Sequence, residues 1–174
     1  MRGALSISGK LHLHWSLALG ALLFTAPRFT LPLLLAFAAV IAVHTLGHLA
    51  ALLGCGLRPA ALSLHGLGGE FALAKGRPPS PVESSAIAWG GALAQGALLA
   101  FALVHPLPHD LDFAFVRLNG VALALNLLPV APLDGAEAWR LFTRLRRRPR
   151  RAVLPDSRRV QRDVAELLKK IRDQ

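Results

Sequence analysis

The chain contains few charged residues and only one cysteine. Asp, Glu, Lys and Arg make up only 17% of its 174 residues, whereas 53% are hydrophobic. A soluble domain of this length needs more charge to cover its surface, so the composition argues against a soluble protein and favours a membrane protein. The single cysteine, Cys55, excludes a disulfide bond within the chain. No internal repeat is visible.

Four apolar segments are candidates for transmembrane helices, each of which needs roughly 20 apolar residues. They are residues 11–27, 30–57, 83–104 and 112–131. The first segment is short and has a rival interpretation as a signal peptide, but Pro27 directly follows Ala26 where a cleavage site is expected. The sequence therefore predicts an all-α membrane protein with about four transmembrane helices.

Acidic residues are half as numerous as basic ones, and the position of the basic excess predicts the topology. Of the 20 Lys and Arg residues, 13 lie between Arg140 and Arg172. Basic residues next to spans stay on the cytoplasmic side. We therefore expect a multi-pass protein of the cell membrane with both termini in the cytoplasm, as an even number of spans requires.

A β-hairpin is predicted between the second and third spans, on the cytoplasmic side. Residues 60–74 contain two runs in which apolar and other residues alternate, separated by a glycine-rich stretch that starts at Gly66. The open edges of such a hairpin could hold an extended peptide as an added strand. A plain cytoplasmic loop is the alternative interpretation.

Residues 139–174 form a basic tail that we separate from a membrane domain of residues 1–138. The tail contains "RLRRRPRR" and then an amphipathic pattern that predicts a C-terminal helix. Its apolar stripe consists of Val160, Val164, Leu167, Leu168 and Ile171. Such a tail suits anionic lipid or a protein partner. Nucleic acid is not favoured, although the net charge is +10, because no nucleic-acid-binding motif accompanies the charge.

Ionisable residues within the apolar segments are the candidates for chemistry, since they are costly at membrane depth. His44 and His48 lie four residues apart in the second span, and Asp134 follows a proline-broken end of the fourth. Two histidines and a carboxylate make a three-ligand zinc site with the fourth position open, which is the catalytic arrangement. Alternatively, the histidines only hydrogen-bond to neighbouring helices, and Asp134 caps a helix.

The sequence resembles the site-2 proteases, which are intramembrane zinc metalloproteases, and especially their small bacterial branch. The resemblance covers about residues 9–143. "LHLHWS" looks like the first-span opening, "HTLGHLAA" takes the place of the H-E-x-x-H helix, and "LHGLGGEF" that of the glycine-rich hairpin. "PVESSAIAWGGALAQ" is similar to the third span, and "NLLPVAPLDGAEAWR" to the N-x-x-P…L-D-G signature.

The resemblance implies roles for individual residues. It implies His44, His48 and Asp134 as zinc ligands and Asn126 as a polar group that faces the substrate near the metal. It also implies that the hairpin presents a membrane-protein or peptide substrate as an added strand.

Thr45 departs from the family pattern, which has glutamate at this place as the general base. A general base is worth about 10²–10⁴ in rate, and a threonine hydroxyl cannot replace it. We therefore expect a homologue that keeps the zinc site and substrate groove but has impaired or no peptide hydrolysis. Two alternatives stay open: an active protease that uses Glu70 or water as a surrogate base, and a metal-free membrane scaffold.

Overall fold

The structure is a computed structural model that describes residues 4–26, 28–66, 68–146 and 171. Most of these residues are helical, and four strands form one small sheet. In chain order the elements are β1 (Ala4–Ser8), β2 (Leu11–His14), α1 (Ser16–Thr25), α2 (Leu31–Gly54), β3 (Pro59–His65), β4 (Gly68–Leu73), α3 (Pro81–Val104), α4 (His109–Asp112), a π-helical segment (Phe113–Leu118), α5 (Asn119–Asn126), α6 (Asp134–Ala138) and α7 (Arg140–Arg146).

Two helices, α2 and α3, are long and apolar enough to cross a membrane within the part of the chain that the structure describes. They coincide with the predicted segments 30–57 and 83–104. Each has 24 residues, a length of about 36 Å at 1.5 Å per residue. Both have clear start signals, because the side chain of Thr30 caps α2, and Ser80 and Glu83 form a capping box at α3.

The first predicted span is only partly helical. Residues 11–14, which were expected to open this span, form strand β2 instead, and α1 has ten residues. At about 15 Å it is half as long as the hydrocarbon core is thick. The physical reason is the alternation of "LHLH", which has the period of a strand and pairs with β1 and β3.

The fourth predicted span, residues 112–131, is helical from His109 through α4, the π-helical segment and α5, and the helix ends at Asn126. It therefore starts and ends earlier than predicted, since the prolines that follow Asn126 cannot continue a helix. A count of four transmembrane crossings stays a prediction.

The predicted hairpin is confirmed as the antiparallel pair β3 and β4, in which Leu64 lies opposite Gly69. The sheet order is β1-β2-β3-β4, and β2 pairs in parallel with β3. The expectation that both hairpin edges are open is therefore wrong for β3, because β2 covers that edge. Of the two edges of the hairpin, the outer edge of β4 is the one that lies at the border of the sheet.

Helices α2 and α3 make a backbone contact through facing glycines. A Cβ atom at Gly90 would lie 2.5 Å from the carbonyl oxygen of Gly47 and 2.8 Å from the Cβ of Ala51. A side chain at Gly90 would thus push the helices apart. This contact fixes how α3 is placed against the face of α2 that carries the histidines.

Helix α7 is formed by the first part of the predicted tail, and it contacts both α3 and α6. The rest of the basic stretch and the predicted C-terminal helix lie outside the described residues, except for Ile171.

Candidate metal centre

The structure brings the two histidines of α2 and the first residue of α6 together. His44 and His48 are buried, with exposed fractions of 2% and 6%. Their Nε2 atoms lie 2.9 Å apart. The Oδ2 atom of Asp134 lies 3.0 Å from Nε2 of His44 and 3.1 Å from Nε2 of His48. The three residues predicted as metal ligands therefore converge on one point.

Asp134 reaches this point because the chain turns back after α5. Gly135 allows the turn, since a Cβ atom there would collide with the carbonyl group of Leu127. The indole Nε1 of Trp139 donates a hydrogen bond of 2.6 Å to the oxygen of the same carbonyl. The glycine of "LDG" is thus required by the close approach of α6 to the end of α5.

Helix α3 orients both imidazole rings. Nδ1 of His48 lies 2.7 Å from the carbonyl oxygen of Ile87, which can only accept, so Nδ1 carries the proton. Nδ1 of His44 lies 3.1 Å from Oε1 of Gln95. The amide nitrogen of Gln95 donates to the carbonyl oxygen of Asn119, which assigns Oε1 as the acceptor for His44. When the rings are neutral, this leaves the lone pair of each Nε2 facing Asp134.

This arrangement fits a zinc ion. Two imidazole nitrogens and a carboxylate oxygen within 3.1 Å of one another need a proton or a metal cation between them. Zinc binds such donors at about 2.0–2.2 Å in tetrahedral geometry, which separates its ligands by roughly 3.3 Å. Metal-binding histidines also donate their other ring N–H to a carbonyl or similar acceptor, as both rings do here. Three ligands leave a fourth position for water or substrate.

Glycines from two elements border the ring of His44. A Cβ atom at Gly91 of α3 would lie 2.7 Å from Cε1 of His44 and would also collide with the ring of His48. A Cβ atom at Gly68 of β4 would lie 2.7 Å from Cδ2 and 2.9 Å from Nε2 of His44. Gly68 also has a φ of +150°, which favours glycine. The backbones of α3 and β4 therefore lie close to the ring of His44, at positions where a side chain would not fit.

Thr45 lies beside the two ligands and under strand β4. Its side chain is buried, and its Oγ1 atom has no hydrogen-bond partner within the described residues. A Cβ atom at Gly69 would lie 2.8 Å from this Oγ1. The backbone of β4 thus covers the position where the family pattern has its general base.

Of the other predicted site residues, Asn126 lines a cavity next to the centre and Glu70 is directed away from it. Asn126 is buried at the end of α5 and lines a cavity together with His44 and Gln95. Glu70 is exposed on β4 opposite Ser63. Since Gly69 faces Thr45 and neighbouring strand positions face opposite sides, Glu70 is directed away from Thr45.

His65 ends β3 close to the centre and is half-buried. Burial lowers the pKa of its imidazole, and the nearby carboxylates of Glu70 and Asp134 offset this only in part. The ring of His65 is therefore neutral at neutral pH.

Gln95 is the residue at this site that sequence reasoning missed. It is 1% exposed and bonds to a ligand side chain. The signal that could have found it is the same one that found the histidines, a strongly polar side chain within an apolar span.

Comparison with solved structures shows a similar fold in the Site-2 Protease from Methanocaldococcus jannaschii. The TM-score is 0.58 and the sequence identity is 18%, over 83% of this chain and 72% of that chain. No protein-family model and no curated protein matches the sequence. At this identity the likeness shows the fold.

Proposed function

We propose that the chain is a site-2-protease-like membrane protein that binds zinc through His44, His48 and Asp134 and has weak or no peptidase activity. The observation that carries the proposal is the convergence of both Nε2 atoms on Oδ2 of Asp134, at 3.0 and 3.1 Å. The similar fold of a solved site-2 protease supports it.

The residues of the centre bind and orient, but they supply no general base. A bound zinc ion would polarise a peptide carbonyl and a water molecule. Gln95 and the carbonyl of Ile87 hold the ligand rings, and Asn126 lines the adjoining cavity. Thr45 cannot accept the proton that hydrolysis releases, so turnover is expected to be slower by about 10²–10⁴ than with a carboxylate.

The proposal includes a substrate held as an added strand at the outer edge of β4. This edge lies at the border of the sheet, and β4 begins with the glycines that contact His44 and Thr45. An extended peptide paired with β4 would gain main-chain hydrogen bonds next to the centre. For the basic tail we propose anionic lipid or a protein as partner.

Metal analysis of the purified, zinc-supplemented protein tests the proposal. We expect about one zinc ion per chain, since the ligands form one site, and loss of this zinc in His44→Ala and in Asp134→Ala. His105→Ala is the control, because His105 is exposed at the end of α3 and its removal should leave the zinc content unchanged. A wild-type protein without zinc would favour the metal-free scaffold, and a His44→Ala variant with full zinc content would show that the zinc is bound elsewhere.

A further inference from the structure

A second buried polar contact lies one step away from the metal centre, where the first residue of α5 meets α3. Asn119 and Gln95 make this contact, and both are almost fully buried, with exposed fractions of 0% and 1%. Polar side chains that are buried among apolar helices are costly unless they are hydrogen-bonded. Gln95 is bonded to His44, and the role of Asn119 follows from its own contacts.

Asn119 and Gln95 bind each other's backbone in both directions. The side-chain nitrogen of Asn119 donates to the carbonyl oxygen of Gln95 at 3.3 Å, and the side-chain nitrogen of Gln95 donates to the carbonyl oxygen of Asn119 at 3.5 Å. Backbone carbonyl oxygens can only accept, so each side chain presents its nitrogen to the other's backbone. The bond from Gln95 is long, and the reverse bond holds the two backbones close enough for it to form. The pair therefore fixes which end of the Gln95 amide faces His44.

The π-helical segment places Asn119 for this contact. The backbone N–H of Asn119 donates to the carbonyl oxygens of Ala114 and Val116, whereas in a regular α-helix it would donate to that of Phe115. The side-chain nitrogen of Asn119 donates to the carbonyl oxygen of Phe115 at 3.2 Å. Since this nitrogen carries two hydrogens, it can serve Phe115 and Gln95 at once. π-helical turns inside helices are frequent at functional sites.

The other polar atom of the Asn119 side chain argues against a role in packing alone. Its Oδ1 atom is buried and has no hydrogen-bond partner among the residues that the structure describes. A buried acceptor without a partner destabilises the folded state, so an apolar side chain of similar size would pack α5 against α3 at a lower cost. What asparagine adds is its amide nitrogen, which is used in both contacts described above.

We propose that Asn119 is a positioning residue of the metal centre and acts through Gln95 on the ring of His44. It holds the Gln95 amide with Oε1 towards Nδ1 of His44, so that Nδ1 carries the proton and Nε2 is left to bind the metal. The proposal rests on the proposed function, because it takes His44 to be a zinc ligand. Without Asn119 the Gln95 amide can turn over, and its N–H groups would then oppose the N–H of His44.

The imidazole protons of the zinc-loaded, full-length protein test the proposal without any need for peptidase activity. In the wild type we expect proton–nitrogen correlation NMR to show a slowly exchanging Nδ1 proton on His44 and on His48, because both have an acceptor. Asn119→Leu should shift the His44 proton and speed its exchange by at least about fivefold, as for the loss of one net hydrogen bond. The His48 proton is an internal control and should not change, since its acceptor is the carbonyl of Ile87.

Zinc affinity, measured by competition with a chelator, gives a second readout. Asn119→Leu should lower it by about fivefold, which is less than the loss of about 10–100-fold expected for Gln95→Leu. It should have no further effect when Gln95→Leu is already present, because both changes break one chain of contacts.

Two more variants make the test independent of whether leucine fits at position 119. Asn119→Ser should behave like Asn119→Leu, since a serine hydroxyl that donates to Phe115 has no second hydrogen for Gln95. Thr25→Val is the control, because it removes a buried hydroxyl that donates within α1. It should leave the His44 proton and the zinc affinity unchanged.

The possible results separate this proposal from the proposed function. An unchanged His44 proton in Asn119→Leu and Asn119→Ser, with zinc bound, would overturn the role of Asn119 and leave the zinc site standing. Equal changes at His44 and His48, or an equal loss of affinity with and without Gln95→Leu, would show that Asn119 only packs the helices and would overturn the role as well. A wild-type protein that binds no zinc would overturn both proposals.

Discussion

At the scale of one residue, the proposed loss of peptidase activity rests on Thr45. Its hydroxyl is buried without a hydrogen-bond partner in the described part of the chain. It lies against the backbone of Gly69. A short side chain fits this space, but it carries no group that can take up a proton at neutral pH.

Thr45→Glu should raise cleavage of a membrane-embedded peptide by about 10²–10⁴, because it restores a carboxylate next to the metal. Thr45→Gln is the matched control, since glutamine has the size of glutamate but no basic group. The measurement is product formation by purified protein in detergent or liposomes. Equal cleavage by wild type and Thr45→Glu would contradict a disabled centre.

An active wild type would point to a surrogate base, and Glu70→Gln then distinguishes the candidates. Loss of that activity would identify Glu70, which would require β4 to turn, because Glu70 is exposed and directed away from Thr45. Unchanged activity would leave water as the alternative.

Gln95 gives a second prediction at the residue scale. Gln95→Leu removes the acceptor for Nδ1 of His44, and loss of such a partner typically weakens metal affinity by about 10–100-fold. Gln95→Glu keeps an acceptor in place and should retain most of the affinity. Competition with a fluorescent zinc chelator measures both variants. Wild-type affinity in Gln95→Leu would show that the bond does not position the ligand.

At the scale of elements, α6 depends on α3 for its position. It has five residues, too few for a stable isolated helix. The hydroxyl of Ser85 donates to the carbonyl oxygen of Glu137 at 2.8 Å, and the indole of Trp89 donates to that of Ala138 at 2.9 Å. Arg144 of α7 contacts both Glu137 and Ser85. These bonds hold the helix that begins with Asp134.

Ser85→Ala should therefore weaken zinc binding although Ser85 is no ligand. A lost hydrogen bond that leaves a buried acceptor unpaired costs about 1–3 kcal/mol, and at least part of this cost falls on the placement of Asp134. Zinc affinity is the readout. Ser84→Ala is the control on the same helix, because its hydroxyl donates to the carbonyl oxygen of Ser80 at the start of that helix. Equal affinities of the two variants would show that α6 is held without Ser85.

The local pattern of the sequence predicts some elements and not others. α2 and α3 follow from their apolar length, and β3 and β4 from alternation around glycines. The pairing of β2 with β3 joins Leu13 to Leu64, a contact that no local pattern reveals. The three side chains that the structure brings together could be predicted because His44, His48 and Asp134 are ionisable residues in apolar surroundings. The hydrogen bond between His44 and Gln95 depends on how α3 is rotated against α2. The contact of Gly47 with Gly90 fixes this rotation.

For the whole molecule, the concentration of basic residues beyond Arg140 supports both termini in the cytoplasm. In a Cys55→Ser background, which lacks thiols, Gly76→Cys and Pro106→Cys place one thiol at each end of α3. We expect an impermeant maleimide to label Pro106→Cys in intact cells and Gly76→Cys only after permeabilisation. The opposite pattern would reverse the topology, and labelling of both in intact cells would contradict a crossing by α3.

The glycines around His44 also bear on how the centre is assembled. The backbones of α3 and β4 approach the ring so closely that a Cβ atom at Gly91 would collide with Cε1 and one at Gly68 with Cδ2 and Nε2. Little space is therefore left on these two sides of the imidazole. If the centre binds zinc as proposed, we expect metal loading to depend on how firmly β4 packs on α2.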